Sequence, residues 1–236
     1  MIPILEQFIH NIEQISGYTS ERVRNMVIDE LLVSGDSLRA GMQIADSINA
    51  AKAKLIYLVF EEFEKQLAGV AERNHWTREK KSNWYEYKEQ ADEFFYKWNT
   101  TYPGINYIVN DAQMPDGKQL WFRVEVEHRL FAGFCVFDPN AESEEGHGDQ
   151  VDEYDAATVK AVGHYLKISA ADHNDWWATW WYLPAGEQKP NDSVPNFKIM
   201  NDAAIALADK ECRSEFVSLC VRNIEEMVER VLAIPE

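Results

Sequence analysis

The run KQLWFRVEVEHRLFAGFCVF, Lys118 to Phe137, constrains the fold more than any other stretch of the chain. If the backbone is extended from Lys118 to Glu127 and turns at His128 and Arg129, pleating puts Leu120, Phe122, Val124 and Val126 on one face. Trp121, Arg123, Glu125 and Glu127 then share the other. The first set is a core face; the second reads as half-exposed and polar, with Arg123 beside Glu125. LFAGFCVF returns as the antiparallel partner and INYIVN precedes the pair, which gives a three-stranded meander.

The first hundred residues carry a different period. Leu5, Phe8, Ile9, Ile12 and Ile15 are spaced for a helix that Gly17 ends, and Val23, Met26, Val27 and Leu31 continue the pattern after Thr19 and Ser20. Beyond Gly35, the positions Leu38, Met42, Ala45, Leu55, Val59, Phe63, Leu67 and Val70 predict one long helix over about 36 to 73, packed against another helix. WYEYKEQADEFFYKWN reads as a further helix stopped by TYPGINY. After the meander, AATVKAVGHYLKI looks helical, DWWATWWYLP fits a buried strand, and Phe216, Cys220, Ile224, Met227 and Val231 mark a closing helix.

The fold class expected is therefore α+β: N-terminal helices including one long helix, then a small antiparallel meander flanked by helices. Residues 1–100 form a helical region and 101–236 an α+β domain, or the two form one continuous domain. With 46% hydrophobic and 12% aromatic residues, the 236-residue chain can build a core. Its net charge of −17 repels phosphate backbones and anionic lipid, so nucleic acid is disfavoured as a partner and a membrane is not expected. Cys135, Cys212 and Cys220 have no metal-ligand spacing and read as reduced core thiols, and the N-terminus lacks a basic, apolar leader, so the expected location is cytoplasmic.

Four constellations could carry chemistry. Asp116, Glu125 and Glu127 have roughly the layout of a Mg²⁺-dependent nuclease, in which carboxylates hold the ion that activates water. On one strand, however, the seven steps from Lys118 to Glu125 span roughly 23 Å at ~3.3 Å each, too far for one metal. Trp176, Trp177, Trp180 and Trp181 could form a stacking platform for a ligand, or pack as core. ERNHWTREKKSNWYEYK, Glu72 to Lys88, interleaves five bases with aromatics and is the stretch most like a nucleic-acid surface. Asp138 to Asp155 holds eight acids and no Lys or Arg, which describes a solvated loop able to face a basic partner; its spacing is not that of an EF-hand.

Several segments together resemble the C-terminal, non-catalytic part of bacterial PD-(D/E)XK nuclease superfamily proteins: LWFRVEVEHRLFAGFCVF as paired strands, WWATWWYLP as an aromatic segment, and ALADKECRSEFVSLCVRNIEEMV as a closing helix. The resemblance covers roughly Ile105 to Val231. In that family it implies a catalytic core upstream with a strand ending in Glu-x-Lys, whereas here the upstream residues read as helices. The expectation is a non-enzymatic, cytosolic interaction or regulatory protein of bacterial or phage origin, linked to nucleic-acid processing or defence, with a protein partner and no cofactor. The alternative is a divergent nuclease using Asp116, Glu125, Glu127 and Mg²⁺. The long helix also permits a homodimer.

Overall fold

The computed structural model describes residues 21–80, 86–96, 101–142, 148–167 and 174–232, with side chains from 24 onward. The protein is α+β. Helices α1 (Glu21–Leu31) and α2 (Gly35–Arg73) come first, then strand β1 (Trp76–Glu79) and the short α3 (Tyr87–Gln90). Strands β2 (Gly104–Val109), β3 (Gln119–Val126), β4 (Leu130–Asp138) and β5 (Asp149–Gln150) follow, then α4 (Ala156–Leu166), β6 (Thr179–Tyr182), α5 (Asp202–Ala206) and α6 (Lys210–Leu232). Two compact units, Met1–Ala50 and Ala51–Glu236, divide the chain inside α2.

The long helix forms where its apolar period requires it. Asp36 occupies its first turn and Arg73 its last, both favourable to the helix dipole. The helix expected over residues 4 to 16 lies outside the described residues. That expected from Trp84 is helical among the described residues only over Tyr87–Gln90, with turns to Tyr96. Tyr87, Ala91 and Phe94 are buried there, so packing of single side chains rather than a continuous helical stripe sets this segment.

The meander is present and is the centre of a larger sheet, ordered β1-β2-β3-β4-β5, with β6 also paired to β4 and every pairing antiparallel. Asp116 and Gly117 lie in a tight turn before β3, and both have positive φ. Gly104 of β2 stands opposite Glu125 of β3. The strand β1, inside the stretch read as a basic patch, escaped the sequence reading: at four residues it is too short to show a period.

Leu120, Phe122, Val124 and Val126 do form the core face. They meet Ile105 and Tyr107 of β2, Ala132 and Phe134 of β4, and the helices that cover them. Within the larger unit, Ser214 donates to Glu62, Ser218 to Gln66, and Arg73 pairs with Glu225, so α2 and α6 run parallel with an offset of 152 residues. Ile56, Val59, Phe60, Phe63 and Leu67 of α2 bury with Val217, Cys220, Ile224 and Val228 of α6. Cys135 and Cys220 are buried thiols as expected, but Cys212 is exposed near the start of α6, where Asp209 accepts from its backbone amide. No helix among the described residues is long and apolar enough to cross a membrane.

Candidate functional site

The second face of the sheet is where the sequence expectation fails, and where the site forms. Trp121, Arg123 and Glu125 are buried rather than half-exposed. The cover is local: Gln150 of β5 accepts from Arg123 Nη1 at 2.8 Å and donates to the Trp176 carbonyl at 2.6 Å, while Tyr154 donates to that same carbonyl at 3.2 Å. These bonds hold the segment Asn174–Ala178 against the sheet, with Ala178 N donating to the Phe134 carbonyl at 2.8 Å.

Arg123 ion-pairs with Glu125, as the strand spacing implied, and its guanidinium lies 5.6 Å from the Trp177 ring. Burial pushes the Glu125 carboxyl up to about 7, outweighing the opposite pull of Arg123. Glu125 is thus a partner of Arg123 inside the protein. Asp116 lies before β3 and Glu125 near the far end of that eight-residue strand, so the structure does not bring them together. Glu127 follows the strand and is exposed. Among the described residues, no group of three His, Cys, Asp or Glu side chains could hold a metal ion.

The four tryptophans divide. Trp181 is 1% exposed and belongs to the main core beside Phe122, whereas Trp176 is 48% exposed. Trp177 and Trp180 lie on the second face, and strand alternation explains why Trp180 and Tyr182 point there while Trp181 does not. They reach it because residue 133 is glycine: a Cβ there would stand 2.9 Å from both the Trp177 ring and the Trp180 backbone.

Between these rings opens a groove of about 250 Å³. Phe131 is its floor, with ring centroids of Trp177 at 5.1 Å, Trp180 at 6.1 Å and Tyr182 at 6.4 Å, all edge-to-face. Trp180 and Tyr182 are 5.1 Å apart at 89°. The polar rim consists of Glu127, His128, Arg129, Asn174 and Asn196. Most of the rim is occupied with holding loops: Asn174 Oδ1 accepts from the amides of Trp176 and Trp177, Asn196 Oδ1 from those of Lys198 and Ile199, and Arg129 donates to the Val194 carbonyl. Glu127 differs, making no hydrogen bond or ion pair to another described residue, though with burial it holds the Tyr182 hydroxyl above its ordinary range.

The described bases of the stretch from Glu72 to Lys88 each have an acidic partner, although Arg73 and Lys80 stay more than half exposed. Arg78 forks onto both carboxylate oxygens of Glu86 at 2.9 and 2.7 Å and lies 3.4 Å from Glu64. Lys80 and Lys88 reach the same Glu64 at 2.9 and 3.4 Å, and Arg73 pairs with Glu225. Burial would raise Glu64, yet these cations hold it at about 2. Residues 81–85 lie outside the described residues. At the described ends of the acidic stretch, Asp138 ends β4, Asp149 begins β5, and Asp155 caps α4 by accepting from Thr158 N at 2.7 Å. Residues 143–147 lie outside the described residues.

Phe131, Tyr182 and Gly133 were not among the residues singled out from the sequence, and Glu127 was singled out only as a candidate metal ligand. Only the alternation of Trp180, Trp181 and Tyr182 hinted at a second aromatic face. What the fold and groove define is an α+β protein with an aromatic recess and, at its rim, a carboxylate that pairs with no other described residue. Compared with protein-family models, curated proteins and solved structures, the chain gives no match.

Proposed function

We propose that this protein is a non-enzymatic interaction protein that receives a basic side chain of a protein partner in the groove between Trp177, Trp180 and Tyr182. The observation that carries this reading is the pairing of aromatic rings with the Glu127 carboxylate, which has no partner among the described residues. An ammonium or guanidinium group gains from ring faces and from a carboxylate at once, and it gains more where water is partly excluded. A chain of net charge −17 also draws basic partners by its long-range field. The resemblance of the C-terminal half to the non-catalytic part of PD-(D/E)XK proteins suggests a setting in nucleic-acid processing or defence.

The test is a titration of intrinsic fluorescence with a capped Gly-Lys-Gly peptide, its trimethyl-lysine form and a norleucine form that keeps the stem but not the charge. The two cationic peptides should quench saturably and norleucine should not. Trp180→Ala and Glu127→Gln should each weaken binding at least about tenfold, or 1.4 kcal/mol. Equal binding of norleucine, or binding indifferent to both substitutions, would refute the reading.

The nuclease alternative has less support because its carboxylates are separated and Glu125 is held by Arg123. It makes its own demand: Mg²⁺ should raise the melting temperature, and Glu125→Gln should remove that rise. The present account expects no Mg²⁺-dependent rise in either protein.

A further inference from the structure

The shape and the hydrogen-bonding inventory of the groove separate one kind of cation from another. Trp177, Trp180 and Tyr182 stand at 74°, 76° and 77° to the Phe131 ring, and Trp180 stands at 89° to Tyr182. A guanidinium is flat and stacks on one ring face. Rings set nearly at right angles around a floor suit a rounded head that touches several of them at once.

The supply of acceptors is the second constraint. A primary ammonium carries three N–H donors and a guanidinium five, and each donor taken out of water needs an acceptor. Ring faces supply only weak ones. Of the rim's side-chain oxygens, Asn174 Oδ1 and Asn196 Oδ1 each already accept two backbone amides, which fills both lone pairs. Arg129 is a donor. The Glu127 carboxylate is exposed at the rim, so an ammonium drawn to it turns its remaining N–H groups toward the rings. A trimethylammonium head keeps the charge, has no N–H to satisfy, and lays three methyl groups on the apolar walls.

We propose, on the reading of the groove as a cation site, that its ligand is a trimethylated lysine within a basic segment of the protein partner. The net charge of −17 favours a lysine with basic neighbours over a singly charged small molecule bearing the same head, because the long-range field acts on every charge of the segment.

Titration of the full chain, read by intrinsic fluorescence, tests this. The ligands are capped Gly-Lys-Gly, its trimethyl-lysine form, an isostere of that form with carbon in place of the charged nitrogen, trimethyl-lysine flanked by arginines, and choline. The trimethyl form should bind at least about tenfold more tightly than the unmodified peptide, and the neutral isostere should bind poorly. The arginine-flanked peptide should bind more tightly than choline. Trp180→Phe, which keeps a smaller ring, should narrow the preference for the trimethyl form, and Trp180→Ala should abolish it. Equal affinity for the lysine and trimethyl-lysine peptides overturns the proposal while leaving the groove a cation site, whereas binding of neither overturns both. Tight binding of the isostere overturns it too, since apolar fit alone would then suffice. Choline binding more tightly than the arginine-flanked peptide overturns the assignment to a protein partner.

Discussion

Arg123→Met should cost about 3 to 5 kcal/mol of unfolding free energy, because it leaves Glu125 buried without its cation. Glu125 sits where burial already pushes its carboxyl up to about 7, even with Arg123 present. A carboxyl whose folded value lies above its unfolded one binds its proton more tightly in the folded state. Its effect on stability is therefore adverse at high pH and relieved as the pH falls from about 7 toward its unfolded value of 4.5. Denaturant unfolding at several pH values should show the wild-type protein gaining stability over that window relative to Glu125→Gln. The Arg123→Met loss should be largest above pH 7, and the double variant Arg123→Met, Glu125→Gln should recover much of it, since the pair is then replaced rather than broken. A loss from Arg123→Met that is independent of pH would contradict this assignment.

The second large effect is expected from a single methyl group. In Gly133→Ala the new Cβ would lie 2.9 Å from the Trp177 ring and from the Trp180 Cα, and closer still to the Thr179 carbonyl. Two of these three neighbours are backbone of β6, which pairs with β4 at this residue, so relief requires the strand to move. A cost of about 3 kcal/mol or more is expected, at the upper end for overpacking. Gly35→Ala is the control, as its Cβ would meet nothing nearer than Arg39 at 4.0 Å and should change stability little. Because Gly133 sets where Trp177 and Trp180 stand, any folded Gly133→Ala protein should also bind cationic peptides poorly.

The parts legible in the sequence were those with a sustained period. The 39-residue α2 and the alternation of β3 could be read directly, since many residues repeat one signal. What could not be read was the second layer over the sheet. Arg123 and Glu125 look like a solvated pair on any local criterion, and their burial depends on Gln150 and on Asn174–Ala178, far away in sequence. The same long-range cover makes the groove: Phe131 and Glu127 belong to the hairpin, Trp180 and Tyr182 to β6, and the β4–β6 pairing joins them. The counter-charges of the basic stretch were hidden for a similar reason, as Glu64 on α2 and Glu225 on α6 supply them to its described bases from elsewhere in the chain.

The most direct test of the groove as a recognition site is to follow the indole N–H resonances during titration with the capped Gly-Lys-Gly peptide, a single-stranded oligonucleotide and Mg²⁺. The account predicts that the peptide shifts Trp177 and Trp180 while Trp76 and Trp181, buried in the main core, stay in place. It would be contradicted if Trp177 and Trp180 ignored the peptide while the oligonucleotide with Mg²⁺ shifted signals around Glu125 and the 72–88 segment.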